Sequence, residues 1–160
     1  MSTAYEDRVN FALARILERL GFIEVAQRKR AGKRVDVMLF YKGLRIAFEG
    51  SYNKLDAQKD AEGRLHEGLA DLSVALWYDE RTFPQNLRES EVEQRLEKSH
   101  LRVKILAPGE DVTATLMPFV VEKLPVKSLI EGWLLIDLPL LKQTIDYAVQ
   151  YAASEEKIRK

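Results

Sequence analysis

The chain has 160 residues, 46% of them hydrophobic and 31% charged, which is typical of an ordinary globular domain. Its 25 Lys and Arg residues balance its 25 Asp and Glu residues, so a nucleic-acid partner would have to be held by a local basic patch. The absence of cysteine excludes disulfides, thiolate zinc sites and cysteine nucleophiles, and it fits a reducing compartment. The two histidines, His66 and His100, lie far apart, so any metal ligands are expected to be oxygens.

The N-terminus carries Glu6 and Asp7 where a signal peptide would be apolar. The most apolar stretch, residues 129–141, is interrupted by two acids and a proline, which is not the pattern of a membrane span. We therefore expect a cytoplasmic protein without a membrane segment. The turn signals indicate one α/β domain over residues 1–160, with a core of about 1–107 and a helical extension of about 110–160.

The predicted elements follow from the spacing of apolar residues and from turn residues. In chain order they are a helix over 4–20, a strand over 23–28, two strands over 35–40 and 44–48 joined by a tight turn, a helix over 56–71, a strand over 73–78, a helix over 89–98, a strand over 101–106, and helices over 112–123 and 140–157. Because a helix separates the strands 44–48 and 73–78, these two are expected to be parallel, which makes the sheet mixed. The polar residues of the second helix, Arg64 among them, are expected to form a solvated face.

The tight turn fixes which residues of the hairpin face each other. With Lys42 and Gly43 as a two-residue loop, Tyr41 pairs with Leu44, and counting outward brings Asp36 opposite Glu49. Directly opposed residues have Cβ atoms about 4.5 to 5.5 Å apart, and like charges there destabilise the pair unless something compensates. The sequence therefore predicts a positive partner for these two carboxylates.

Several partners are consistent with that prediction. A divalent cation such as Mg²⁺ prefers oxygen ligands, a basic side chain would neutralise the pair, and a proton shared by the two acids would remove one of the charges. The simpler alternative is that Asp36 lies at a solvated strand edge and that Glu49 forms a surface salt bridge with Arg45 or Lys54.

The order of these parts resembles the PD-(D/E)XK nuclease superfamily, whose fold is restriction-endonuclease-like. The resemblance covers residues 6–78: a helix with an early Glu, the phrase RVDVML at 34–39, the phrase IAFEGS at 46–51, a helix, and the strand ALWY at 75–78. It implies a mixed central sheet flanked by helices and Mg²⁺- or Mn²⁺-dependent hydrolysis of nucleic acid, DNA in particular. Asp36 and Glu49 would be metal ligands, and Glu6 an auxiliary acid.

The chain departs from the family at the lysine that helps to orient the attacking water. That position is Ser51, which carries no charge, and the nearest substitute is Lys54. Glu6 also has a structural interpretation, because Thr3 and Glu6 match a helix capping box. A catalytically inactive nuclease-like module that binds DNA or protein is therefore the alternative function.

A basic cluster precedes Asp36 and contains Arg28, Lys29, Arg30, Lys33 and Arg34 without an acid. Such a cluster neutralises phosphates without reading sequence, although it is also compatible with a solvated turn. A third possibility is an assembly role, in which the apolar segment 129–141 and the last helix form a homodimer or partner surface; the segment is equally compatible with a place in the core.

Overall fold

A computed structural model describes residues 4–25, 29–30, 33–34, 37–115, 128–130 and 132–154. The helices are Ala4–Arg19 (α1), Lys54–His66 (α2), Glu89–Lys98 (α3) and Leu138–Ser154 (α4). The strands are Ile23–Val25 (β1), Lys29–Arg30 (β2), Lys33–Arg34 (β3), Val37–Tyr41 (β4), Leu44–Ser51 (β5), Leu72–Trp77 (β6), Leu101–Ala107 (β7), Glu110–Asp111 (β8), Ser128–Ile130 (β9) and Trp133–Ile136 (β10).

The main sheet has the strand order β1-β4-β5-β6-β7-β10-β9, with β8 paired to β7. The pair β5–β6 is parallel, and the other pairs among the described strands are antiparallel. The fold is thus α/β with a mixed sheet, as the sequence predicts. The strands β2 and β3 form a separate two-stranded sheet.

Helices cover both faces of the main sheet. The larger core packs α1, α3 and α4 against one face, through Leu13, Leu96 and Ile145 among others. On the opposite face, α2 packs through Ala57 and Ala61, and these small side chains let the helix approach the sheet closely. The elements therefore form three layers, with α1, α3 and α4 on one face of the main sheet and α2 on the other.

Local sequence signals explain where several elements begin and end. The Asn53 side chain accepts hydrogen bonds from the N–H groups of Leu55 and Asp56, which caps α2 two residues earlier than the sequence predicts. The hairpin turn has φ of 52° at Lys42 and 79° at Gly43, as a two-residue loop of the favoured handedness requires. This geometry confirms the predicted pairs Tyr41 with Leu44 and Phe40 with Arg45.

The C-terminal region differs from the predicted helical extension. The apolar segment forms the β9–β10 hairpin, which joins the main sheet through β7, and α4 begins at Leu138. Trp133, Leu134 and Ile136 are buried, so these side chains of β10 belong to the core. Of the predicted helix over 112–123, residues 112–115 are helical and the remainder lies outside the described residues. None of the helices in the described part of the chain is both long and apolar enough to cross a membrane.

Candidate functional site

The predicted carboxylate site centres on Glu49, near the end of β5. The β4–β5 register runs as predicted to its last described pair, Val37 with Phe48. Asp36, the predicted partner of Glu49, lies outside the described residues. In the parallel neighbour β6, Glu49 pairs with Ala75 and Ser51 pairs with Trp77. Since side chains alternate along a strand, Glu49 faces α2 while Phe48 faces the larger core.

Glu49 is paired with a basic side chain from α2. The Nε of Arg64 donates a hydrogen bond to Glu49 Oε1, with Glu49 only 1% exposed and Arg64 8% exposed. Arg64 also donates from Nη1 to Glu67 Oε1 at 3.3 Å. Burial lowers the pKa of Arg64, but the charge and hydrogen bond of Glu49 and the charges of Glu67 and Asp60 together outweigh it, so the pKa lies above its ordinary value.

This pair corrects two predictions. Arg64 is not part of a solvated helix face, because it lies on the same buried stripe of α2 as Ala57 and Ala61. Glu49 does not form a surface salt bridge; its partner is a buried guanidinium, and Arg45 instead pairs with Asp71 at 3.2 Å. The spacing of four and three residues from Ala57 through Ala61 to Arg64 is a helical-face signal that would have located this contact.

The residues at and after the family's lysine position have structural contacts of their own. Ser51 is buried, and its Oγ accepts a hydrogen bond from the N–H of Asn53 at 3.0 Å, which shapes the turn into α2. The Nζ of Lys54 lies 5.5 Å from the centroid of the Trp77 ring, within the range of a cation–π interaction. The predicted substitute cation is thus placed at the sheet end that also carries Ser51.

A buried hydrogen-bond network contacts the end of β5 on the face of the sheet opposite to Glu49. The Tyr78 hydroxyl donates to Asn10 Oδ1, and Asn10 Nδ2 donates to the carbonyl of Gly50 at 3.4 Å. A Cβ at Gly50 would collide with both the Tyr78 hydroxyl and the Asn10 side chain. Only glycine therefore allows α1 and β6 to approach the backbone next to Glu49 this closely.

The described residues do not by themselves fit the predicted Mg²⁺ site. No group of three or more His, Asp or Glu side chains among them is placed to hold a metal ion. Glu49 is described, but its Oε1 already accepts a hydrogen bond from Arg64. Of the other two predicted ligands, Asp36 lies outside the described residues, and for Glu6 the structure describes the backbone, in α1.

The predicted basic loop contains a short ribbon. The strands β2 and β3 are antiparallel, with Lys29 opposite Arg34 and Arg30 opposite Lys33. Each opposed pair therefore consists of two basic residues. Arg28, the fifth predicted residue of the cluster, lies outside the described residues. The sequence predicted a turn here, and the two-residue strands are too short to leave a period-two signal.

Comparison with known proteins gives no family for this chain: no family model, no curated protein and no solved structure matches it. The Glu49–Arg64 pair and the basic ribbon are therefore the features from which we infer a function.

Proposed function

We propose that this chain is a nuclease-like nucleic-acid-binding module that holds the phosphate backbone through the β2–β3 ribbon and is catalytically inactive. The observation that carries the proposal is the register of the ribbon, in which Lys29 opposes Arg34 and Arg30 opposes Lys33. A polyanion is the partner that this arrangement favours.

A bound polyanion is expected because the free energy of forming the ribbon without one is unfavourable. Two-stranded hairpins are marginally stable in water, and like charges at directly opposed positions destabilise them further. Phosphate groups would replace this repulsion with attraction, and their binding would release counterions from the nucleic acid. A two-stranded ribbon also has the width that the major groove of B-form DNA admits.

The Glu49–Arg64 pair supports the inactive alternative. A buried carboxylate requires a compensating charge, which a metal ion supplies in the nucleases that the sequence resembles. In this chain a guanidinium compensates Glu49. A metal ion on Glu49 would have to displace a buried Arg64 and leave that cation without its carboxylate. Ser51 at the lysine position is consistent with the same conclusion.

A gel-shift or anisotropy titration with a labelled DNA duplex tests the proposal. The double variant Arg30→Ser/Lys33→Ser removes one opposed pair and should weaken binding by about tenfold or more at physiological salt. Arg15→Ser/Arg19→Ser is the matched control, because it removes the same charge from α1, where these arginines pair with Glu89, Glu93 and Glu97. Equal losses in the two variants, or no binding by the unmodified chain, would contradict the proposal.

Metal-dependent phosphodiester hydrolysis is the second candidate function. It is favoured by the order of α1, the antiparallel hairpin, α2 and the parallel strand β6, which is the order on which the family resemblance rests. In this candidate Asp36 and Glu49 would hold Mg²⁺ or Mn²⁺, and Lys54 would supply the cation that Ser51 lacks.

Plasmid nicking separates the two candidates. Under the binding proposal, supercoiled DNA stays intact with Mn²⁺ present, and Mn²⁺ does not raise the unfolding temperature. Nicking that is lost in both Asp36→Ala and Glu49→Gln would establish hydrolysis and overturn the claim of inactivity.

A further inference from the structure

A cavity of about 500 Å³ opens beside the candidate site, where β6 ends and β7 begins. It is lined by Trp77, Phe83 and Arg102, together with Asp79, Arg81 and His100. Trp77 pairs with Ser51 of β5 on one side and with Arg102 of β7 on the other. The cavity therefore lies at the same sheet end as Ser51, two residues from Glu49.

The cavity contains a preformed stack of an aromatic ring and a guanidinium. Arg102 Cζ lies 3.6 Å from the centroid of the Trp77 ring, and its Nε donates to the Trp77 carbonyl at 3.0 Å. Trp77 is held in turn by an edge contact with the buried Trp133, with centroids 5.8 Å apart. Indole rings and guanidinium planes are the surfaces on which unpaired bases stack, and these two are fixed before any ligand arrives.

The cavity wall carries both basic and acidic side chains. Asp79 is its acid, and Arg81 hydrogen-bonds to that carboxylate with a contact of 3.2 Å. Burial raises the pKa of Asp79, but the Arg81 hydrogen bonds outweigh it and hold the pKa below its ordinary value. Arg81 thus pairs with Asp79, and the guanidinium of Arg102 lies in the cavity wall beside them.

We propose that this cavity binds one unpaired nucleotide of a nucleic-acid strand, with its base against the Trp77–Arg102 stack and its phosphate near the basic side chains. This inference extends the proposed function, because it assigns single-stranded or frayed nucleic acid as a ligand of the same sheet end. The volume lies in the usual range of about 300 to 1,000 Å³ for small-molecule sites. The ribbon supplies sequence-independent affinity, and the cavity distinguishes unpaired from paired strands.

The test compares a labelled single strand with a duplex of the same length. Arg102→Lys keeps the positive charge but removes the planar group, so single-strand affinity should fall about fivefold or more while duplex affinity stays unchanged. Arg88→Lys is the matched control, since Arg88 is an exposed arginine at the start of α3, paired with Glu91. Equal effects of the two variants on the single strand would overturn the inference. Urea unfolding of both variants checks that they fold.

A fluorescence titration tests nucleotide binding in the cavity independently of the ribbon. Trp77 and Trp133 are the two tryptophans of the chain, so Trp133→Phe leaves Trp77 as the reporter. Thymidine monophosphate should quench its emission in a saturable manner, and Arg102→Lys in that background should reduce the quenching. Absence of quenching would refute the cavity assignment even if the ribbon binds duplex DNA. Quenching without any duplex binding would instead refute the proposed function alone.

Discussion

At the scale of single residues, the Arg64 guanidinium neutralises a carboxylate that has almost no access to water. Arg64→Met should destabilise the fold by about 3 kcal/mol or more, because Glu49 would remain buried without this partner. The midpoint of urea unfolding measures the loss. The double variant Glu49→Gln/Arg64→Met should recover part of it, since neither charge then remains in the interior. A cost below about 1 kcal/mol for Arg64→Met would show that the pair behaves as a surface ion pair.

Gly50 offers a second test of the packing around Glu49. Gly50→Ala places a methyl group against the Tyr78 hydroxyl and the Asn10 side chain, and overpacking of this kind costs about 1 to 3 kcal/mol. Gly63→Ala is the control, because its Cβ would meet only Glu67 Oε1 at 3.6 Å. In the interior of α2 that change should stabilise by about 0.5 to 1 kcal/mol. Similar unfolding midpoints for the two variants would contradict the described network.

The candidate site shows which residues a single sequence can and cannot predict. The position of Glu49 in the hairpin can be predicted from strand alternation and turn length, which are both local properties. The observed β4–β5 pairs confirm the predicted register as far as Val37 and Phe48. Its partner Arg64 is 15 positions further along the chain, and the contact depends on how α2 crosses the sheet. The polar character of Arg64 suggested solvent, but burial against a carboxylate outweighed it.

At the scale of elements, the hairpin tip is attached to the last helix through Tyr41. Its hydroxyl donates to Asp146 Oδ1 at 2.6 Å, and Lys42 Nζ lies 3.0 Å from the same oxygen. Burial, together with the hydrogen bond and charge of Asp146, raises the pKa of Tyr41 to about 12. This contact ties the strands that position Glu49 to α4.

The raised pKa of Tyr41 gives a pH-dependent prediction. Because the folded state holds the phenolic proton more tightly, the stabilisation is complete below the unfolded pKa of 10.0 and is lost as the pH rises towards about 12. Tyr41→Phe should cost about 1 kcal/mol at neutral pH through the lost hydrogen bond. The difference in unfolding free energy between the two proteins should then narrow between these pH values. A constant difference across that range would contradict the assignment.

The sequence predicts α3 over its full length but does not predict the strands β9 and β10 before α4. α3 has buried apolar residues at Val92 and Leu96 with the polar Gln94 between them, a pattern that favours a helix over an alternating strand. The strand β10 is a short run of four apolar residues, and such a run does not distinguish a buried strand from a buried helix. Pairing with β7, which is distant in sequence, decides between them.

At the scale of the whole molecule, a net charge of zero makes the position of the charges decisive. A protein without a net field gains little from long-range attraction to DNA, so its affinity has to come from a local array of cations. Many arginines of the helices are already paired, as Arg19 is with Glu93 and Glu97. The ribbon places Lys29, Arg30, Lys33 and Arg34 in two opposed pairs, and for this reason we propose it as the source of the affinity for DNA.

The salt dependence of the affinity for duplex DNA tests whether the ribbon supplies that affinity. Each neutralised phosphate contributes about −0.9 to the slope of log K against log salt, so four ribbon contacts should give a slope of about −3.6. Arg30→Ser/Lys33→Ser should reduce its magnitude by about 1.8, whereas Arg15→Ser/Arg19→Ser should leave it unchanged. Anisotropy titrations at several salt concentrations measure all three slopes. If the slope instead follows net charge, so that both double variants change it equally, binding is not localised at the ribbon.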